Sequence, residues 1–187
     1  MAMVAVLQGF LMLFIDIGIS NAIILRPDAT HEQLSTLYWL NVLFGAVLFA
    51  AVLASTPLVV AFYHEPRLAP LMPWIAVSFL IVPFGQQFQA LAQRELRFDR
   101  LAVIEVITVT ATAAAAIVFA WFHYGVFALV WAGLVSVSLR TTLLARLGWS
   151  EWRPRFHWHL SNLRGFIGFG LFQMGERAVL AFGANVD

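Results

Sequence analysis

Charged side chains inside long apolar stretches are the residues of this sequence best suited to chemistry. Asp16 lies within Met1–Leu25, and the adjacent Glu176 and Arg177 lie within Leu160–Val186. A charge at the bilayer centre costs about 2.5 to 3.5 kcal/mol on insertion scales, so each should face protein or water and have a partner. A guanidinium offers planar donors that suit phosphate, and a buried carboxylate can carry a proton. These residues are therefore candidates for binding a polar molecule or a coupling ion.

Each of these candidates also has a structural interpretation. Asp16 belongs to a mostly polar stripe that recurs every four residues, and it can instead satisfy backbone or hydroxyl groups where helices pack. Glu176 and Arg177 project about 100° apart on a helix, so one can face a cavity and the other a neighbouring helix. Arg177 is the best single candidate for binding phosphate. The alternative is an ion pair, for which Asp16 at similar depth is the natural partner.

The third apolar stretch adds a candidate of a different kind. Gln86, Gln89 and Gln93 present their amides on one helical face. Pro83 precedes them and removes a helical hydrogen bond, which predicts a kink. The kink would serve either as a hinge or as a fit to a neighbouring helix. We group Gln86 with the three charged residues as a candidate binding residue.

Glu105 and Arg140 lie at similar depth in consecutive antiparallel stretches, which predicts an ion pair. Small residues recur every four positions before Arg140, and small residues permit close contact between membrane helices. Helix packing is therefore the favoured role for this pair, and lining a cavity is the alternative.

Other chemistries find no support in the sequence. The chain has no cysteine, which excludes disulfides and thiolate chemistry. It contains no phosphate-binding glycine loop and no nucleophile motif, and His157 and His159 lie beside a Trp-rich loop rather than on one helical face. A net charge of +1 provides no bulk attraction for nucleic acid. We expect no metal, no cofactor, no nucleic-acid partner and no enzymatic activity.

The elements that must position these residues are membrane-spanning helices. The 187 residues are 61% hydrophobic and only 11% charged, whereas about a quarter of a soluble domain is charged. Six apolar stretches each reach the roughly 20 residues with which a helix crosses a bilayer. The prediction is an all-α, polytopic transmembrane helix bundle of about six spans. The stretches are Met1–Leu25, Leu34–Phe62, Leu68–Leu91, Leu101–Trp121, Val126–Leu147 and Leu160–Val186.

The distribution of arginine predicts how the bundle is oriented. The first connection between spans carries Arg26, the third carries three arginines and the fifth carries four, whereas the second and fourth together carry only Arg67. Short loops with arginine stay in the cytoplasm, so the odd connections are expected there and the Met1 end on the periplasmic side. No basic residue precedes the first span, and the sixth stops at Asp187 without a polar tail. We therefore expect a fragment of a longer protein, lacking an upstream helix.

Three regions of the sequence carry a family resemblance. They are DIGISNAII at Asp16–Ile24 with HEQLSTLYWLN at His31–Asn41, then FYHEPRL at Phe62–Leu68, then IVPFGQQFQALAQRELRF at Ile81–Phe98. In combination they resemble the polysaccharide flippases of the multidrug/oligosaccharidyl-lipid/polysaccharide exporter superfamily. The similarity is to the branch that includes the colanic acid exporter, and it extends over nearly the whole chain.

The resemblance implies a protein of twelve or more helices in two lobes around a central cavity. Residues 1–159 would be a partial N-terminal lobe of five helices without the family's first helix. Residues 160–187 would be the truncated first helix of the second lobe. The implied activity is movement of an undecaprenyl-diphosphate-linked oligosaccharide across the bacterial inner membrane by alternating access. The implied partners are this lipid-linked oligosaccharide, membrane lipids and a coupling proton or sodium ion, and Arg177 would bind the diphosphate.

Two rival functions stay open at the level of sequence. One is another transporter of the superfamily, such as a cation-coupled drug exporter. The other is a membrane-embedded glycan-processing enzyme, for example a glycan polymerase or a phosphatidyl transferase. The lack of a clustered Asp or His motif and of a large extracytoplasmic loop counts against the enzyme.

The arginine distribution can be tested by labelling, because the chain has no cysteine of its own. Single cysteines beside Arg97 and beside Arg155 should be shielded from an impermeant thiol reagent in intact cells, and a cysteine at Glu65 should react. Permeabilised cells supply the control, since all three positions should then react. Labelling beside Arg97 from outside would reverse the orientation.

Overall fold

A computed structural model describes residues 30–156, which form four long α-helices. Helix α1 spans His31–Tyr63, α2 spans Met72–Arg94, α3 spans Phe98–Trp121 and α4 spans Val126–Gly148. A 3₁₀ helix, Pro66–Leu68, lies between α1 and α2. All four α-helices are long and apolar enough to cross a membrane, and the described residues contain no β-strand. The predicted polytopic helical architecture is confirmed.

The helix bounds agree closely with the four predicted spans that fall within the described residues. The largest difference is at the start of α2, predicted at Leu68 and observed at Met72. Pro66 opens a 3₁₀ helix that ends at Leu68, and the turn residues 69–71 follow it before α2 begins. The predicted spans Met1–Leu25 and Leu160–Val186 lie outside the described residues.

The start of α1 is fixed by local hydrogen bonds. The Thr30 side chain accepts a hydrogen bond from the Gln33 backbone N–H at 3.3 Å, and the Gln33 side chain accepts one from the Thr30 backbone N–H at 3.0 Å. This capping box satisfies two N–H groups that have no partner within the helix. It sets the depth at which α1 begins and therefore the register of its polar residues.

In space the helices follow the order α1, α2, α4, α3, which differs from their order in the chain. Helix α2 packs against α1 on one side and α4 on the other, and it is the most buried of the four. Helix α3 packs mainly on α4, and Ile104 and Thr108 are its buried residues. The central position of α2 explains why its polar residues contact both neighbouring helices.

Two clusters of buried side chains hold the bundle together, one towards each end. The cluster nearer the start of α1 is centred on Leu37, Tyr38, Phe88 and Trp152. The other cluster contains Val52, Leu68, Leu71, Met72, Ile75, Ala76, Phe79 and Val130. At that second end Trp74 and Trp131 contact each other, with ring centroids 5.9 Å apart. Aromatic clusters at both ends of a helical bundle are typical of membrane interfaces.

Helices α1 and α2 approach most closely at Gly45 and Pro83. A Cβ atom on Gly45 would lie 2.5 Å from Pro83 Cγ and 2.6 Å from the Phe79 carbonyl oxygen. Pro83 has no N–H to donate to the Phe79 carbonyl, so the glycine backbone fills the space beside an oxygen that the helix leaves unbonded. Helix α2 continues through Pro83 without interruption. The hinge function of the predicted kink stays a prediction.

Two arginine-bearing connections lie at the same end of the bundle, called the arginine-rich end below. Arg97, between α2 and α3, forms an ion pair with Glu151, which follows α4. The Arg155 backbone N–H donates to the Ser35 hydroxyl near the start of α1 at 3.2 Å. The segment after α4 therefore folds against α1 and the α2–α3 connection. This grouping agrees with the predicted alternation, while the side of the membrane stays a prediction.

Replacement of Gly45 by alanine tests whether the close contact with α2 outweighs the higher helix propensity of alanine. Gly45→Ala should raise stability by about 1 kcal/mol if propensity decides, but should lower it by about 1 to 3 kcal/mol if the contact is as tight as described. We expect a loss, measured as thermal unfolding in detergent. Ala50→Val, on an exposed face of α1, is the control and should change little. A stabilised Gly45→Ala protein would contradict the close approach.

Candidate functional site

A hydrogen bond between two amides connects α1 to α2 inside the bundle. The Asn41 side chain donates from Nδ2 to Gln86 Oε1 over 3.0 Å. Asn41 is buried. A polar group in hydrocarbon costs several kcal/mol unless it is paired, so each amide stabilises the other at this depth.

An ion pair connects α3 to α4 on the other side of the bundle. Arg140 Nη1 lies 2.9 Å from Glu105 Oε2, which confirms the predicted pair. The two side chains are 41% and 50% exposed within the described residues. The pair is thus accessible at its edge, unlike an ion pair sealed inside a helix interface, and both groups can meet another molecule.

The amide pair and the ion pair lie in one layer of the bundle. At about 1.5 Å per residue, Gln86, Arg140 and Glu105 each lie about 10 to 12 Å from the arginine-rich ends of their helices, and Asn41 about 15 Å. The hydrocarbon layer is about 30 Å thick, so this layer is well inside the membrane. The sequence predicted similar depth for Glu105 and Arg140, but their alignment with Gln86 depends on how α2 and α4 pack.

A cavity of about 240 Å³ with both polar and apolar lining residues lies between α2 and α4 in this layer. Its polar lining consists of Gln86, Gln89, Ser136, Arg140 and Thr141. Residues of both helices line the cavity, because the backbones of α2 and α4 lie close together beside it. The volume exceeds that of several water molecules, each of which occupies about 30 Å³ in the liquid.

Gly85 sets the close approach of α2 and α4 beside this cavity. A Cβ atom on Gly85 would lie 2.9 Å from the Thr141 Cα and 3.1 Å from the Thr141 hydroxyl oxygen. The absent side chain lets α4 approach α2 closely at this point, and the long side chains of Gln86 and Arg140 reach the same space. Gly85 is therefore a structural requirement for the cavity.

Two glutamines of α2 line the cavity, and another, Gln87, contacts α1 instead. Gln86 and Gln89 line the cavity as their predicted shared face requires, whereas Gln93 is not among the lining residues. Gln87 points towards α1, where its Nε2 donates to the Leu34 carbonyl at 2.8 Å. Its Oε1 is buried and has no partner within residues 30–156. The sequence analysis left Gln87 off the shared face of Gln86, Gln89 and Gln93 and assigned it no role, since its role depends on the position of α1.

The described part of the chain offers no group of three or more His, Asp or Glu residues that could hold a metal ion. The cavity instead presents amide, hydroxyl and guanidinium groups. Such groups can bind a polar or anionic molecule through hydrogen bonds and charge. They supply no nucleophile paired with a base.

Comparison with known proteins places this arrangement in a family. The family model described as "Polysaccharide biosynthesis protein" matches residues 1–187. This chain belongs to the polysaccharide biosynthesis protein family. A search of solved structures finds no match.

Individual relatives support the family assignment. The teichuronic acid biosynthesis protein TuaB of Bacillus subtilis (strain 168) is 35% identical over 95% of this chain and 37% of its own length. The lipopolysaccharide biosynthesis protein WzxC of Escherichia coli (strain K12) is 34% identical over 92% of this chain and 35% of its own length. The amylovoran biosynthesis protein AmsL of Erwinia amylovora is 26% identical over 90% of this chain and 44% of its own length. The chain thus spans well under half the length of these relatives.

The structure of this polysaccharide biosynthesis family member describes one of the four predicted site residues. Gln86 lies in the polar layer and lines the cavity. Asp16, Glu176 and Arg177 lie outside the described residues and stay predictions. Arg140 was assigned to helix packing by the sequence, yet it both pairs with Glu105 and lines the cavity. Its depth, shared with Gln86, was the signal that could have identified it.

The ion pair can be tested by a double-mutant cycle in the full-length protein. Glu105→Gln and Arg140→Gln should each lower the free energy of unfolding, and the double variant should lose less than their sum, by about 1 kcal/mol. The measurement is thermal or denaturant unfolding in detergent. Arg100→Gln, an exposed arginine outside the pair, combined with Glu105→Gln is the control cycle and should be additive. Additive losses of unfolding free energy for Glu105→Gln and Arg140→Gln would show that the two side chains do not interact.

Proposed function

We propose that this protein moves an oligosaccharide linked to undecaprenyl diphosphate from the cytoplasmic to the periplasmic leaflet of the inner membrane. The observation that carries the proposal is the cavity beside Arg140, whose amide, hydroxyl and guanidinium groups lie between helices that are otherwise apolar. Membership in the polysaccharide biosynthesis family supports a polysaccharide precursor as cargo. The lipid tail of such a molecule can stay in the bilayer, and only its headgroup needs a polar path.

Arg140 is the residue of the cavity that suits the charged part of this headgroup. A guanidinium can donate several hydrogen bonds to phosphate oxygens in one plane. Glu105 neutralises Arg140 while the cavity holds no anion, which lowers the cost of a cation at this depth. Arrival of a diphosphate would exchange one anionic partner of Arg140 for another. Arg177, Asp16 and Glu176 remain proposed members of the same substrate path.

The amides and hydroxyls of the cavity suit the uncharged part. Gln86, Gln89, Ser136 and Thr141 offer donors and acceptors to sugar hydroxyl groups. The relatives are named for different polysaccharides, namely teichuronic acid, lipopolysaccharide and amylovoran. A family that serves different glycans needs adaptable contacts to sugars and a constant contact to the shared carrier, and Arg140 would supply the constant one.

Alternating access is part of the same proposal. Residues 1–159 would belong to the first lobe and residues 160–187 would begin the second, with the cavity exposed to each side in turn. A proton or sodium ion would supply the driving force. The close packing at Gly45 and Gly85 supports movement of the described helices as one body.

The cavity also bears on the rival functions. An organic cation would meet a like charge at Arg140, so a cation-coupled drug exporter fits the lining less well. A glycan-processing enzyme would need an activated nucleophile or an acid–base pair, and the cavity lining of the described helices presents no hydroxyl paired with a base. Translocation of an intact anionic lipid therefore fits better than either.

Reconstituted transport tests the proposal. Full-length protein in proteoliposomes should move a fluorescent undecaprenyl-diphosphate oligosaccharide between leaflets and should not move a cationic dye. Glu105→Gln/Arg140→Gln should fold better than Arg140→Gln alone, because no unpaired charge is left, yet its transport should fall by about tenfold or more. Arg100→Gln is the matched control and should transport normally. Dye transport without lipid transport, or normal transport by the double variant, would overturn the assignment.

A further inference from the structure

A second depression lies on the other side of α4, at the arginine-rich end. It is an open groove of about 580 Å³. Its lining combines two guanidinium groups, three hydroxyls and one indole. The lining residues are Thr141, Thr142, Ala145, Arg146, Trp149, Ser150 and Arg153.

The charge of this groove is not balanced by its own lining. Arg146 and Arg153 are exposed, and neither takes part in an ion pair among the described residues. Arg153 Nε donates to the Trp149 carbonyl at 3.2 Å, which holds that guanidinium against the end of α4 and leaves its terminal nitrogens for another acceptor. The described lining contains no carboxylate.

A neighbouring depression at the same end provides the contrast. It measures about 180 Å³ and is lined by two arginines and two glutamates, Arg94, Arg97, Glu95 and Glu151. There the Glu151 carboxylate accepts a hydrogen bond from Arg97 and raises the pKa of that guanidinium. An anion would have to displace an existing carboxylate in that depression. The groove beside Arg146 and Arg153 presents no such competitor.

The groove and the cavity share one lining residue, Thr141. Arg146 lies six residues after Arg140, or about 9 Å further along α4 towards the arginine-rich end. Trp149 is 48% exposed in the groove, and tryptophan is typical of the level of lipid headgroups. The groove therefore lies where a headgroup at the membrane surface would arrive before it enters the cavity.

We infer that the groove formed by Arg146, Trp149 and Arg153 binds the diphosphate of the lipid-linked glycan before the headgroup moves to Arg140. The inference rests on the proposed function. Two guanidinium groups match the two phosphates, the Ser150 hydroxyl donates a further hydrogen bond, and the indole contacts the lipid interface. Phosphatidylglycerol carries a single phosphate and should bind more weakly.

Binding of undecaprenyl diphosphate without a glycan tests the groove directly. Full-length protein in nanodiscs of phosphatidylcholine should bind this probe, measured by native mass spectrometry. Arg146→Gln/Arg153→Gln should weaken binding by about tenfold or more. The control Arg100→Gln/Arg155→Gln removes the same charge from exposed positions at the same end and should change the affinity by less than about twofold.

Two results would overturn the assignment. Equal weakening by both double variants would show that bulk charge attracts the probe, and competition by an equal amount of phosphatidylglycerol would show a general anionic-lipid surface. Transport measured on the same proteins separates this inference from the proposed function. Wild-type protein that binds the probe through the groove but moves no glycan would refute the function alone. Normal binding and transport by Arg146→Gln/Arg153→Gln would refute the groove alone.

Discussion

The requirement that every polar group inside a bilayer find a partner within the protein governs this structure. Helices satisfy their own backbones, and hydroxyls such as those of Thr108 and Thr142 bond to the carbonyls of Ile104 and Ser138 one turn earlier. Groups that cannot be satisfied within one helix are paired between helices, as in the Asn41–Gln86 and Glu105–Arg140 contacts. Polar residues thus help to fix which helices are neighbours, and Gln86 and Arg140 also line the cavity between α2 and α4.

Close packing allows these pairs to form. Association of helices in lipid gains little from hydrophobicity, so it depends on van der Waals contact and on small residues that let backbones approach. Gly45 meets the proline turn of α2, and Gly85 meets Thr141 of α4. These contacts place α2 in the centre and bring Gln86 to the level of Arg140. The same features that make the bundle rigid therefore build the wall of the cavity.

Within the described residues, some arginines at the arginine-rich end are paired with carboxylates and others are not. This difference distinguishes surfaces that stabilise the fold from surfaces that can bind an anion. Arg97 is committed to Glu95 and Glu151, which ties the segment after α4 to the α2–α3 connection. Arg146 and Arg153 are not committed in this way among the described residues. A charged surface with its counter-ions built in stabilises the fold, whereas one without them can accept an anion from outside.

The sequence by itself determined the class of the protein, the bounds of the four described spans to within a few residues and the Glu105–Arg140 pair. Hydropathy and arginine counts suffice for the first two because bilayer thickness constrains every span in the same way. The pair followed because antiparallel neighbours place their residues at calculable depths. Only the tertiary structure decided the spatial order of the helices, α1, α2, α4, α3. It also decided the separate roles of Gln86 and Gln87 and the position of Gln86 and Arg140 in one cavity. They depend on which helix faces approach each other, and that is set by glycine and proline contacts between distant parts of the chain rather than by any local periodicity.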